Sequence, residues 1–404
     1  MKFVIFDDEK RDNFYPLTLT RSTGDLRSGV LKLRQRILSY LDQDETNVVI
    51  SKDLENIYKE RHPDWNVNLI TNEDTIFINS RLRINDELLK MIRNLSNNTC
   101  LKKESAIIAA RCKPENNEMD SNDLKNIFKD MKAENLADAE LWDYTWELID
   151  HNKQMIKKDF IDFFYERDNN FQADPGVTII NPYNVWLGDK TEIAPGVIIN
   201  AKQGPVIIDE NAKIMENSII MGPVFIGKKT VVKCGTKIYE GTSIGPVCKV
   251  GGEVEETIFQ AYSNKQHDGF LGHSYLGEWV NIGAGTSNSD LKNNYQNVKS
   301  YLYPNGELVD TGLKFLGTII GDHTKTAINT TINTGTVIGV ACKLFGNTML
   351  NNIIHSFVWG DVNNKYRLDK FFETAAIVKH RRGLGITANE KDLYTKVHKS
   401  VFDQ

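Results

Sequence analysis

The stretch Ile208–Val250 reads IDENAKIMENSIIMGPVFIGKKTVVKCGTKIYEGTSIGPVCKV, and its aliphatic residues keep a fixed step. Ile208, Ile214, Ile220, Ile226, Val232, Ile238, Ile244 and Val250 are all β-branched and recur at every sixth position. Four residues after each of the first seven stands a small or compact side chain: Ala212, Ser218, Val224, Thr230, Thr236, Thr242 and Cys248. A helix repeats at about 3.6 residues and a strand at 2, so neither produces a step of six. A triangular coil does, with each short strand and its turn using one hexapeptide, an aliphatic residue filling the inside and a compact one beside it. The segment therefore reads as a left-handed parallel β-helix built from hexapeptide repeats.

Outward from this stretch the same step continues, backward through Leu187, Ile193 and Ile199 and forward through Ile320, Thr326, Ile332, Ile338, Leu344 and Leu350. Between them it returns in shifted phase at Ile258, Asn264, Phe270, Leu276 and Ile282. The phase breaks fall near Gly204, near Gly251-Gly252 and across Asp290 to Gly317. A broken period marks where loops leave the coil and where sites can be built.

Before Phe171 the texture is different. FVIF, VVIS, VNLI, TIFI and SAIIAA alternate with charged amphipathic stretches, the pattern of an α/β layer. In LRSGVLKLRQRILSYL the residues Leu26, Val30, Leu33, Ile37 and Leu41 recur at three- and four-residue steps, which predicts a first crossover helix over 26–41. Acidic and polar residues from Pro114 to Asn135, then an aromatic-rich helical stretch from Leu141 to Phe164, bridge to the repeats. The expected organisation is an α/β, Rossmann-like domain with its bridge over 1–168, the β-helix over 169–356, and a tail over 357–404. That tail carries a short C-terminal helix between Leu368 and Arg382, which caps the coil or packs in a trimer.

Composition narrows the function classes. A chain of 404 residues exceeds one ordinary core, and 40% hydrophobic and 25% charged residues indicate a folded protein. The net charge of -5 argues against a nucleic-acid partner. Cys100, Cys112, Cys234, Cys248 and Cys342 are scattered with no C-x-x-C pair, which suits a reduced, cytoplasmic protein and no cysteine zinc site. No apolar run has the length of a membrane span, and the start, MKFVIFDDEKRDN, is no signal peptide.

The densest chemistry lies between two phase breaks, in NKQHDGFLGHSYLGEWVNIGAGTSNSDLKNNY, Asn264 to Tyr295. His267, His273, Tyr275, Asn281, Asn294, Tyr295, Lys265 and Lys292 gather here among glycines that let backbone approach a ligand. Amides and hydroxyls suit a sugar, lysines a phosphate, and an imidazole suits a proton acceptor near neutral pH.

The run VNIGAGT, a histidine fourteen residues before its asparagine and an Asn-Tyr pair after it resemble the acetyltransferase half of bifunctional UDP-N-acetylglucosamine pyrophosphorylase/glucosamine-1-phosphate acetyltransferases. The resemblance implies that His267 is the general base taking a proton from the sugar amine as it attacks acetyl-CoA. It implies sugar-phosphate contacts from Asn281, Asn294 and Tyr295, with Lys265 alongside. The segment GTIIGDHTKTAINTTINTGTVIG resembles the family's acetyl-CoA groove, placing Thr330, Thr331 and Thr334 against the pantetheine arm. The slot of a family phosphate-binding lysine holds Glu255. Coils of this kind associate as trimers, which would put the site between neighbours.

In the N-terminal half the PLT of Pro16–Thr18 is similar to sugar nucleotidyltransferases, while charged residues replace their glycine-rich phosphate loop. Arg21 and Arg27 are the candidate phosphate ligands. In TIFINSRLR, Asn79 and Ser80 match the family's Asn-Gly-Asp region, and Arg81 stands where an aspartate would hold Mg2+. Either Asp7 or Asp8 supplies the metal site, or the domain binds sugar nucleotides without turning them over.

The resemblance thus implies acetyl transfer from acetyl-CoA to an amino-sugar phosphate and nucleotidyl transfer from UTP. Two other readings remain: a γ-class carbonic-anhydrase-like metal site of His267, His273 and His323, and a trimeric scaffold without turnover.

Overall fold

A computed structural model describes residues 2–402 apart from positions 42, 44, 116, 168, 170, 172, 347 and 348. The boundary expected at Asp168 lies outside the described residues. Among the described residues no helix is long and apolar enough to cross a membrane.

The N-terminal half is one seven-stranded sheet of β1 (Lys2–Phe6), β2 (Asn47–Val49), β3 (Asn66–Val67), β4 (Thr75–Asn79), β5 (Thr99–Lys103), β6 (Ala106–Cys112) and β7 (Lys132–Asn135). Their order is β3-β2-β1-β4-β6-β5-β7. The first four strands run parallel, and β6 runs against both β4 and β5. The chain therefore steps away from β1 in one direction and returns to its other side as β4. That junction is a topological switch, whose carboxyl edge is where open α/β sheets bind ligands. Helices α1 (Leu33–Ser39), α2 (Lys52–Arg61), α3 (Asp86–Arg93) and α4 (Leu124–Phe128) complete the layer, and α5 (Thr145–Asp150) and α6 (Asn152–Phe163) lead out of it.

The crossover helix is shorter than its periodicity predicts. Only Leu33–Ser39 is helical, because Gly29 turns left-handed at φ 76° and side chains of α6 take the backbone donors that a helix would use. Gly29 N–H donates to Asn152 Oδ1 at 2.6 Å and Val30 N–H to Asp159 Oδ2 at 2.7 Å. Leu26 and Val30 are buried all the same, so the spacing of apolar residues looked helical.

The C-terminal half is the left-handed β-helix. Strands stack in parallel with partners eighteen residues apart, as in Ile214↔Val232↔Val250, which is one coil of three hexapeptides. The aliphatic column fills the interior: Ile208, Ile214, Ile220, Ile226, Val232, Ile238, Ile244 and Val250 are all fully buried in one cluster. The shifted phase needs correction at three places. The inward residues there are Phe259, Lys265 and Leu271, each one position after Ile258, Asn264 and Phe270. Ile258 is buried too, but on the outside of the coil, under the N-terminal half.

That outer contact joins the halves. Phe14, Leu17 and Leu26 pack with Ile258, Tyr275, Ile319 and Val337, and the excursion after Asp290 adds Val298, Leu302 and Leu316. The excursion is an antiparallel hairpin, Lys299–Leu302 with Glu307–Asp310. The tail folds back as α7 (Leu368–His380) and an additional helix, α8 (Ala388–Phe402). Phe371, Ala375, Tyr394 and Val397 cover Val340, Ala341 and Phe357 of the coil, and Leu393 reaches the core beside α2.

Candidate functional sites

His267 sits at the corner that follows the strand Asn264–Lys265 and is exposed, and its imidazole makes no hydrogen bond among the described residues. The turn carrying it is braced from inside. Lys265 occupies the column of Val232 and Val250, and its ammonium donates to the carbonyls of Gly251 at 2.9 Å and His267 at 3.0 Å. Sequence reading made Lys265 a ligand for the substrate, whereas here it is buried and spent on backbone. Asn281 lies one coil further on, bridged to Asn264 on one side and Lys325 on the other. Asn294 and Tyr295 are elsewhere, exposed on the excursion, where Asn294 bonds Gln296 at 3.1 Å.

Burial pushes the Lys265 ammonium down to about 8 from an ordinary 10.5. Below about pH 8 folded and unfolded chains both hold the proton and the burial penalty is felt in full. Between about 8 and 10.5 the unfolded chain binds more protons, so stability rises with pH. Lys265→Met should remove this rise, reducing the stability gained across that window by on the order of 3 kcal/mol. Urea unfolding at the two ends of the window measures it.

Of the three threonines assigned to the acetyl-CoA groove, Thr330 donates to Ala327 O at 2.9 Å and Thr334 lies 3.3 Å from Asn333 Oδ1. Both are buried, and Thr331 alone faces outward. His273 has a partner that its sequence context did not reveal: Nδ1 lies 2.9 Å from Asp290 Oδ2, and the ring stacks on Phe315. Asp290 and Phe315 stand at the two ends of a phase break, so only the fold brings them both to His273. His323 is buried among Trp279, Phe371 and Tyr394, and burial pushes its imidazole well below the ordinary value. Among the described residues no group of three or more His, Cys, Asp or Glu is placed to hold a metal, which leaves the three-histidine zinc reading without a ligand set.

Over the carboxyl end of β1, beside the β5–β6 turn and α4, a cleft of about 290 Å³ opens, with Asp7, Asp8, Glu9, Lys102, Lys125 and Lys129 in its lining. Beside it Arg81 is fully buried and grips Asp8 with two hydrogen bonds, Nε at 2.9 Å and NH2 at 2.6 Å. Its NH1 reaches Asp143 at 2.7 Å, and Asn79 donates to Asp8 at 2.8 Å. Burial alone would raise the Asp8 carboxyl, but Arg81 outweighs it and holds the group below the usual range. Asp7 is pushed up by burial and accepts from Ser22, Ser80 and the Thr23 N–H. Each carboxylate accepts three hydrogen bonds from the protein, and a guanidinium is clamped on Asp8 where Mg2+ would need oxygen, so the residues present do not fit that ion.

Arg21 and Arg27 do not face this cleft. Arg21 is buried and pairs with Asp322 of the coil at 2.6 Å. The Arg27 guanidinium lies over Phe225, and the Arg27 backbone N–H donates to the Tyr275 hydroxyl at 2.7 Å. The segment expected to cradle phosphates is the segment that docks the two halves.

An α/β sheet joined to a hexapeptide β-helix thus carries a cleft on the first half and a histidine-bearing corner on the second. Residues 3–167 match the family model described as sugar nucleotidyl transferase. Parts of the chain are similar to curated bifunctional proteins. It is 25% identical over 266 residues to "Bifunctional protein GlmU" of Gloeothece citriformis, covering 61% of this chain and 54% of that one. It is 33% identical over 155 residues to a "Bifunctional sugar-1-phosphate nucleotidylyltransferase/acetyltransferase" of Sulfurisphaera tokodaii, covering 37% of each. The GlmU of a Nostoc species is 29% identical over 184 residues, 41% of this chain and 37% of that one. The chain thus spans about half or less of the length of the curated relatives it matches. Among solved structures, Arabidopsis UDP-N-acetylglucosamine acyltransferase is 10% identical, covering 57% of this chain and 92% of that one at a TM-score of 0.20. That likeness carries no argument, and the fold rests on the strand pairing above.

Proposed function

We propose that this chain makes a sugar nucleotide in two steps, acetyl transfer from acetyl-CoA to an amino-sugar phosphate such as glucosamine-1-phosphate on the β-helix and nucleotidyl transfer from UTP in the N-terminal half. The exposed, unengaged imidazole of His267, on a corner braced by Lys265 and one coil from Asn281, carries the reading. The sugar amine attacks the thioester carbonyl, His267 takes the amine proton, the C–S bond breaks and CoA leaves as the thiol. Asn281 contacts the sugar, and Asn294 and Tyr295 belong to the same site where neighbouring copies of a homotrimer meet in the cytoplasm. Thr331 offers its hydroxyl to the acyl donor.

Thiol release from acetyl-CoA that depends on glucosamine-1-phosphate tests the first step, and absence of release across amino-sugar phosphates rejects it. Pyrophosphate release from UTP with N-acetylglucosamine-1-phosphate tests the second. The pairing of Asp8 with Arg81 favours one narrower reading, in which the N-terminal half binds the sugar nucleotide without turning it over. Thiol release without pyrophosphate release, at any Mg2+ concentration, selects it.

A further inference from the structure

On one face of the coil the outward positions form a polar column, Lys213–Val231–Lys249–Asn264–Asn281–Lys325–Lys343, held in line by the parallel pairing. The end of α7 crosses this column and lays Arg381 and Arg382 against it, closing a pocket of about 190 Å³. Its lining holds four cations, Lys249, Lys325, Arg381 and Arg382, and no carboxylate. Among the described residues none of the four makes a salt bridge. Instead Lys325 donates to His323 O at 3.0 Å and Arg382 to Asn264 Oδ1 at 3.2 Å, while Arg382 Nε is buried with no partner. Tyr262 and Trp279, stacked with centroids 4.4 Å apart, make one wall flat.

Four like charges confined together repel, and a buried donor without an acceptor is costly, so the empty arrangement is unfavourable unless an anion completes it. We propose that this pocket binds a phosphomonoester dianion, its oxygens taking the lysine and arginine donors while the attached ring or chain lies along the Tyr262–Trp279 wall. Burial and the charges of Arg382 and Arg381 lower the Lys249 ammonium, and burial with Lys343 pushes Lys325 down to about 8, the direction that an arriving anion would reverse. Two sources carry this group, a sugar phosphate and the 3′-phosphate of CoA. Naming those two rests on the proposed function; the anion chemistry does not.

Calorimetric titration of the full chain with inorganic phosphate tests the pocket first, against Lys249→Met/Arg381→Ala, two positions on the surface of the fold, and against Arg382→Ala. Binding should weaken by about tenfold or more in each variant, as expected for losing charge-assisted hydrogen bonds. Glucosamine-1-phosphate against glucosamine, and CoA against dephospho-CoA, then identify the source by which phosphate is sensitive to the variants. Equal affinity of parent and variants for every phosphate, or no binding of any, overturns the proposal even if acetyl transfer is observed. Variant-sensitive phosphate binding without acetyl transfer would uphold it while the proposed function fell.

Discussion

His267→Ala should lower the rate of thiol release from acetyl-CoA by about 10²- to 10⁴-fold, the range of a lost positioned general base. The fall should appear in kcat with KM little changed, since an exposed imidazole that contacts the reacting amine adds little to ground-state binding. Stability should stay within about 0.5 kcal/mol of the parent, because the side chain is exposed and makes no hydrogen bond among the described residues. His273→Ala is the matched control. It removes a ring tied to Asp290 and stacked on Phe315, so it should cost stability and leave most of the rate. The reverse outcome, with His267→Ala active and His273→Ala dead, would move the base to the His273–Asp290 pair. Single-turnover kinetics on both variants, beside their unfolding midpoints, separates these cases.

How far the sequence carries toward this site depends on which side of the coil a residue occupies. From Ile208 to Val250 the interior is aliphatic and the exterior largely polar, so a period of six is legible and names the fold. At Ile258, Tyr275, Ile319 and Val337 the outer side is apolar as well, because it is covered by Phe14, Leu17 and Leu26. Hydrophobicity then no longer marks the inside, and the phase slips by one residue. The same slip hid Lys265. A lysine read as exposed stands in an aliphatic column, and only the pairing of Val250 with Lys265 shows it facing inward.

Other losses have the same origin in contacts distant along the chain. Leu26 and Val30 are apolar because they pack on other elements, while Asn152 and Asp159 capture the backbone that a helix would have used. Strand β7, Lys132–Asn135, is an exposed edge with no apolar alternation to betray it. The Arg-Arg pair at 381–382 had a visible signal, two adjacent cations at the close of a helix. Its meaning needs Lys249 and Lys325, which lie more than one coil apart in sequence and meet only across the pocket.

Arg21→Met should be among the most destabilising single changes, by about 3–5 kcal/mol, because it strands a buried partner and does not merely delete a contact. Asp322 is buried at the junction of the two halves. It accepts from Arg21 at 2.6 Å and Thr20 at 2.7 Å on one oxygen and from the Glu278 N–H at 2.7 Å on the other. Glu278 stands 3.7 Å from the same guanidinium, so Arg21 serves two acids, with Arg61 and Lys32 adding to the field at Glu278. Burial already raises the Asp322 carboxyl, and Arg21 is the chief influence opposing it. Without Arg21 the folded-state value rises further above the unfolded one. A group raised in this sense adds stability at low pH and loses it as pH climbs through the folded value, so the variant's deficit should be smallest in acid and grow toward neutrality. Asp322→Asn in the Arg21→Met background removes the stranded charge while keeping an amide of similar shape, and it should recover part of the loss at neutral pH and little in acid. Urea midpoints of the two variants across that pH range decide the matter. A deficit independent of pH, or no recovery in the double variant, would mean that the junction is held by the apolar contacts of Phe14, Leu17 and Leu26 and that the ion pair sets register alone.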